Sequence, residues 1–579
     1  MKTVLKYYKP YLIFFLLNLA VIFGQAMCEM ALPGYMSDII NKGIVAGDMA
    51  HIKKTGLLMI AVAAGSMIFA IAGSFTSAWT AAKASKDIRE SLFRKITNFS
   101  AAELEKFSTA SLITRATNDI QAVQNTSVMI MRLACLAPLM GIVAVIKALQ
   151  TSVALSWTVG IALIGILVIM GLSFVLVFPK FKILQSKLDR VNLIMKERLS
   201  GVLVIRAFNR EKAEEKRFDD ANVDLMNLNL FVNKAMSFMM PALMFVMNAV
   251  SILIVWVGSH YVEAETLLIG DMLAYLQYAM HVIMSFLYIT VIFIMVPRAF
   301  VSAQRIGEVL DTEITIEDPQ NPYKIQNVCG QVEFRNVTFA YPDAEENTLE
   351  NISFIAQPGK TTAIIGGTGS GKSTLISLIP RFYDATSGQV LLDGVDVKDM
   401  AQYDVRQQIG YVPQKGLLFA GTIGTNLQYG KPDATETDMI EASETAQAIN
   451  FINEKEHKFD EEVAQGGTSV SGGQKQRLSI ARALIKKPAV YIFDDSFSAL
   501  DFSTDKALRA ALKQKVGDST IIIVAQRINT ILDADQIIVL DDGIMVGKGT
   551  HSELMRDCDV YKEIALSQLS EAELERGRS

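Results

Sequence analysis

Cysteine is scarce in this chain of 579 residues: Cys28, Cys135, Cys329 and Cys558 stand far apart, with no CxxC spacing. That scatter argues against a zinc site and against a disulfide framework, and leaves free or buried thiols. Charge is thin too. Asp, Glu, Lys and Arg make up 20% of the residues and the net charge is −5, so there is no basic footprint for nucleic acid. Tryptophan is limited to Trp79, Trp157 and Trp256, all in the first half. No cleavable signal peptide is expected, because the first apolar run is too long and further runs follow it.

What the chain has in excess is apolar sequence before about residue 297. The hydrophobic share is 51% and the mean hydropathy +0.29, high for a soluble protein. Six runs, 11–33, 56–78, 128–150, 153–178, 236–258 and 270–296, can each cross a hydrocarbon core about 30 Å thick. Lys2, Lys6 and Lys9 precede the first run. Lys83, Lys86, Arg89, Arg94, Lys95, Lys106 and Arg115 follow the second, and Lys180, Lys182, Arg210, Lys212, Lys216 and Arg217 follow the fourth. The segments near 151 and 259–267 lack both residue types. This positive-inside pattern predicts a multi-pass protein of the cytoplasmic (inner) membrane with both termini in the cytoplasm. Lys42, Lys53 and Lys54, between runs one and two, go against the trend. The two basic segments are each about fifty residues long and helical in pattern, so they are expected to project as helical hairpins rather than structureless loops. Their tips are expected at Ser100–Ser108 and near Gly201–Asn209.

Ionisable residues inside a membrane are functional candidates by default. Glu29 is read as an attractor for cationic compounds. Arg132 is read as its ion partner or an interface anchor, with snorkelling or interhelical pairing as the plain alternative. Met239, Met240, Met244 and Met247 crowd the fifth run, where methionine suits adaptable binding or simple packing. Phe286 and Tyr288 in the sixth run complete the candidate substrate path.

Chemistry concentrates further on. Gly366-Gly367-Thr368-Gly369-Ser370-Gly371-Lys372-Ser373 fits the phosphate-loop pattern G-x-x-x-x-G-K-[ST]. A β-type run, Thr361 to Ile365, leads in, and a helix-like run, Thr374 to Ile379, leads out. The glycines let backbone N–H groups close around phosphates, aided by the following helix N-terminus. Lys372 is expected to neutralise phosphate charge and Ser373 to offer its hydroxyl to Mg²⁺. Val490–Asp494 reads as a buried strand ending in a carboxylate placed to hold Mg²⁺ through water. Ser471-Gly472-Gly473-Gln474 opens a helix, an anion site aimed at a γ-phosphate. The fold class expected is an α-helical membrane domain over 1–300, carrying two intracellular coupling loops. It is fused through a linker, 301–330, to an α/β P-loop domain over 331–570, with a polar tail at 571–579.

In this order the motifs resemble an ATP-binding cassette (ABC) transporter, and six spans before one cassette resemble its half-exporter type. The resemblance implies that ATP binds at Gly366 to Thr374. It also implies that Tyr341 stacks on the adenine and that Gln414 in Tyr411-Val412-Pro413-Gln414 touches Mg²⁺. Asp501, in Ser498-Ala499-Leu500-Asp501, would reach towards a partner site. Asp271 to Tyr275 resembles the start of the family's sixth span. Glu197 to Gly201 with Ile205 to Phe208 resembles its second coupling region. Two cassettes would sandwich two ATPs, each held by one chain's phosphate loop and the other chain's Ser471–Gln474 turn.

Three positions depart from the family pattern. Asp495 stands where Glu is usual, Gln526 where the switch histidine is usual, and Gln465 where Glu is usual. Asp495 is one methylene short, and general-base catalysis is worth about 10²–10⁴-fold. Glutamine can hydrogen-bond a phosphate but carries no charge. The expected consequence is a weakly hydrolytic site built on Asp495, Gln526 and Gln414. The chain then resembles one subunit of heterodimeric bacterial multidrug exporters, with a second half-transporter supplying Glu and His. Amphiphilic small molecules would be the cargo and membrane lipids the surroundings. A lipid or peptide exporter subunit and a regulatory ATP-binding subunit are the alternatives. The absence of a peptidase domain before the first span disfavours a peptide exporter.

Overall fold

The computed structural model describes residues 2–326, 328–342 and 344–568; the expected polar tail at 571–579 lies outside them. The chain forms two compact units, Met1–Thr97 with Thr109–Thr312, and Asn98–Ser108 with Glu313–Ser579.

Among the described residues of the first unit, six helices are long and apolar enough to cross a membrane: Thr3–Ile44, Met49–Thr97, Thr109–Thr151, Ser156–Val177, Glu211–Glu263 and Ile269–Ile289. Each contains one of the expected spans or most of it. Several far exceed the bilayer, since 53 residues of helix over Glu211–Glu263 extend about 80 Å at 1.5 Å per residue. In the second hairpin, Ser156–Ser200 packs along Glu211–Glu263, with ion pairs Lys187–Asp224 and Arg217–Glu197 in its polar part. The short helix Val202–Ala207 forms its tip, within the expected turn. The segment 34–55, between the first two runs, is helical apart from a turn at 45–48. Helix Leu12–Asp38 continues through wide π-helical turns to Ile44, and the next helix begins at Met49. Lys42 pairs with Asp38 one turn back at 2.7 Å, so its charge is compensated locally.

Backbone groups in hydrocarbon must be satisfied internally, and so must side-chain amides. Asn18 is fully buried. Its amide donates to the Met131 carbonyl at 2.8 Å, within the π-helical segment Ile130–Ala134. Its oxygen accepts from the Thr76 and Ser77 hydroxyls at 2.8 and 3.0 Å. One side chain thus ties together three spanning helices. Asn18→Leu is expected to destabilise the membrane unit by about 1–2 kcal/mol, the upper range for interhelical hydrogen bonds in membranes. Denaturant unfolding in micelles checks this, with Asn18→Asp as the shape-matched control.

The second unit is built on a ten-stranded sheet. Its order is Val395–Asp396, Ser387–Leu392, Val332–Phe339, Leu349–Ala356, Ile544–Gly549, Gln536–Asp541, Thr361–Gly366, Thr520–Val524, Val490–Asp494 and Ile409–Val412. The first four strands pair antiparallel. The last five, from Gln536–Asp541 to Ile409–Val412, pair parallel. Strands buried on both faces read as unbroken apolar runs, and Val490–Asp494 and Thr520–Val524 are buried at every residue. Register sets the site. Val524 lies opposite both Asp494 and Ile364, so the turns after three neighbouring strands open side by side at the carboxyl edge, where α/β sheets hold their ligands.

Residues 98–108 belong to this second unit. The helix Ala101–Lys106 starts on a capping box between Ser100 and Glu103. The nearly buried Glu103 also accepts from the Thr315 hydroxyl at 2.7 Å and its backbone N–H at 3.2 Å. Ala101 and Ala102 pack on the core that contains Phe334 and Phe354.

Candidate nucleotide-binding site

The phosphate loop turns on glycine. Gly369 and Gly371 have φ of 88° and 89°, the left-handed region open to glycine. A side chain at Gly366 would meet the Leu540 carbonyl at 2.1 Å, whereas one at Gly367 or Gly369 would meet nothing within 4 Å. The first glycine therefore seats the loop on the sheet, and the others leave backbone amides open on one side. Lys372 begins the helix Lys372–Ser377. Its ammonium donates to the carbonyls of Gly366 and Gly367 at 3.0 and 2.5 Å. Burial pushes its pKa down, opposed by Asp495 and Asp494. Ser373 donates to Asp494 at 2.9 Å. Burial pushes the Asp494 carboxyl up, with the Ser373 hydroxyl bond pulling it back. A hydroxyl against a buried carboxylate is a hard-oxygen pair suited to Mg²⁺, which takes one or two carboxylates together with phosphate oxygens.

Asp495 follows with φ of 45°, a conformation Asp tolerates better than most residues. Its N–H donates to the Val524 carbonyl at 3.0 Å. Its carboxylate accepts from the Gln414 amide at 3.3 Å. Gln414, Asp494 and Asp495 therefore meet beside Ser373. Gln526 is exposed, two residues past the strand end that carries the Asp495 contact. Tyr341 stands next to the same loop, its hydroxyl 2.9 Å from that of Thr374. Its ring is edge-on to Phe339 and Tyr383.

Other expected residues lie apart from this group. Ser471 caps the helix Gly472–Leu484, accepting from the Gln474 N–H at 3.3 Å, while the Gln474 side chain accepts from the Ser471 N–H at 3.1 Å. The turn is exposed at Ser471 and Gly472, and Gly473 abuts the Ala499 carbonyl. Asp501 caps its own helix, Phe502–Lys515, accepting from the Thr504 N–H and the Ser503 hydroxyl, which hold its carboxyl well below the usual range. Among the described residues, no hydrogen bond or ion pair joins Ser471–Gln474 or Asp501 to the phosphate loop.

In the membrane unit, Glu29 accepts from Gln25 at 2.8 Å and Ser66 at 3.4 Å. Among the described residues it makes no ion pair with Arg132, whose side chain is exposed on the π-helical turn Ile130–Ala134. Neutral donors on its own and the neighbouring span satisfy the carboxylate instead. Met244 is 60% exposed, and the Met240 side chain lies outside the described residues. The apolar groove of about 560 Å³ on that helix is lined by Phe238, Pro241 and Phe245 and, among the described residues, by no methionine. Phe286 lines a separate cavity of about 360 Å³ with Pro138, Gly141 and Ser285.

Residues 15–286 match the family described as ABC transporter transmembrane region, and residues 349–498 the one described as ABC transporter. The chain belongs to the ABC transporter family. An uncharacterized ABC transporter ATP-binding protein of Mycobacterium tuberculosis is 40% identical over 94% of both chains. The Bacillus subtilis protein named "Putative multidrug export ATP-binding/permease protein" is 30% identical over 97% of this chain and 98% of its own. The structure titled as a bacterial Atm1-family ABC exporter with ATP bound superposes with a TM-score of 0.77 at 23% identity, covering 97% of this chain and 98% of that one. The chain is thus an ABC half-transporter of exporter fold, a multi-pass membrane protein with a cytoplasmic ATPase domain.

Sequence reading missed the second line of residues around this ABC site. Gln476, nearly buried, accepts from the Gly416 N–H at 3.1 Å and donates to the Pro413 carbonyl at 3.3 Å. It grips the backbone on both sides of Gln414. Only its two-residue distance from Gln474 hinted that it shares the helix.

Proposed function

We propose that this chain is one half of a heterodimeric multidrug exporter whose own phosphate-loop site binds ATP with Mg²⁺ but hydrolyses it weakly. The observation that carries the reading is the pairing at the reacting edge. A short carboxylate, Asp495, is held by the Gln414 amide, and the loop beside it offers an uncharged Gln526. The loop amides and Lys372 would bind and orient the phosphates, and Ser373, Asp494 and Gln414 would hold the ion. Bound Mg²⁺ supplies charge neutralisation of the phosphates. Asp495 lacks the reach of a Glu to take a proton from an attacking water, and Gln526 would orient without adding positive charge.

The signature turn supports the other half of the reading. Ser471, Gly472 and Gly473 are intact, with Ser471 capping the helix and both Ser471 and Gly472 open to solvent, as a site for a companion chain's γ-phosphate requires. The tip of the second hairpin points the same way. Leu203 and Phe208 are 78% and 73% exposed in the part of the chain expected outside the membrane, an apolar surface suited to a second cassette. We assign residues 1–300, apart from the tip 98–108, to the membrane domain, 301–330 to the linker and 331–570 to the cassette. Amphiphilic cations fit the Glu29 carboxylate and the apolar walls around Phe286.

The test is ATP turnover by the purified full-length chain in lipid nanodiscs with no second subunit. Slow turnover with tight nucleotide binding is expected, and addition of a half-transporter carrying Glu and His at these positions is expected to raise it in a drug-dependent way. Brisk turnover by the chain alone would overturn the proposal.

A further inference from the structure

We infer that Gln568 is a positioning residue for the switch loop, gripping its backbone on both sides of Arg527. Gln568 ends the helix Asp559–Gln568. Its Nε2 donates to the Gln526 carbonyl at 2.8 Å, and its Oε1 accepts from the Ile528 N–H at 2.9 Å. The amide orientation is fixed by its partners, because a backbone N–H can only donate and a carbonyl can only accept. Neither backbone group has another hydrogen-bond partner among the described residues.

Both ends of this clamp are anchored. On the loop side, the Ala525 N–H donates to the Ile364 carbonyl at 3.1 Å, and Ile528 is fully buried. On the helix side, Tyr561 and Ala565 are fully buried in the core of the second unit, and the Tyr561 hydroxyl lies 2.8 Å from His551 Nδ1. Position 526 is therefore fixed on one side by the strand Thr520–Val524 and on the other by a carboxamide from the end of the domain. A side chain that must meet a phosphate needs its backbone held to within about 0.5 Å. The two hydrogen bonds supply that restraint where the loop has left the sheet. The chemistry demands glutamine. Asn is one methylene shorter, and Glu keeps the acceptor for Ile528 but sets a second oxygen against the Gln526 carbonyl.

The inference rests on the reading that position 526 faces the γ-phosphate, and its test separates the two. Hydrogen exchange of the full-length chain in nanodiscs reads the clamp directly, whatever the turnover. Gln568→Ala is expected to speed exchange at the Ile528 amide about fivefold or more, the value of one net hydrogen bond. The midpoint of thermal unfolding is expected to stay nearly the same. Gln568→Glu is expected to fall between the two. In the chain carrying Asp495→Glu and Gln526→His, Gln568→Ala is expected to lower kcat about tenfold, with the KM for ATP within about twofold, an effect exerted on the reacting state alone. With Ala at 526 in place of His, the same substitution is expected to have no effect on kcat, the mark of two coupled positions. Unchanged exchange at 526–530 would overturn the clamp. An equal loss of kcat with Ala at 526 would overturn its action through that position. If the Glu and His replacements bring no turnover, the weak-site proposal fails while the exchange result still decides this one.

Discussion

Asp495→Glu together with Gln526→His is expected to raise the ATP turnover of this chain by about 10²-fold or more, the range over which a positioned general base acts. Each replacement alone is expected to give less, because one restores the base and the other the charged contact with the phosphate. The gain has a structural cost. Asp495 sits at φ of 45° with its N–H on the Val524 carbonyl, and a non-glycine residue in that region carries about 1–3 kcal/mol of strain, least for Asp and Asn. The double variant should therefore melt slightly lower while turning over faster. Phosphate release at saturating ATP, set beside a thermal melt, checks both halves. No gain in turnover would mean that neither position limits the chemistry.

Lys372→Ala is expected to weaken ATP binding by about 10²-fold or more, since each hydrogen bond to a charged group contributes about 1.5–3 kcal/mol and this ammonium has room for several. The residue is 8% exposed, and its partners are the carbonyls of Gly366 and Gly367, so the loop already holds it at the place where phosphates would lie. Ser471→Arg is the companion variant. It fills the exposed turn but leaves the phosphate loop intact, and should spare nucleotide binding by this chain while stopping turnover on a partner. Equilibrium binding of a fluorescent ATP analogue separates the two.

Much of this was legible in the residues because it is local. Spans of twenty apolar residues and an eight-residue phosphate loop are continuous patterns, and the buried strands Val490–Asp494 and Thr520–Val524 read as unbroken apolar runs. What escaped notice depends on pairings across the chain. Nothing near Gln568 points to Gln526, and nothing near Glu103 points to Thr315. Charge alone cannot tell whether Arg132 pairs with Glu29 or serves elsewhere, and it is Gln25, one turn away on the same helix, that donates to the carboxylate. Asp501 caps its own helix, a local role beside the one that the resemblance implies for it. Hydropathy also does not show that 34–55 consists of two helix ends joined by a turn at 45–48.

The membership of Asn98–Ser108 in the second unit bears on how the polypeptide assembles. This segment leaves the ribosome long before the sheet it rests on, so the Thr315 contacts to Glu103 form late, after the intervening spans have been inserted. Domains made during synthesis generally fold as units, but here a piece delivered early waits for the rest of its unit to be made. A cassette excised at residue 313 would start without the Glu103 carboxylate and with the apolar seat of Ala101 and Ala102 bare, and it should be prone to self-association.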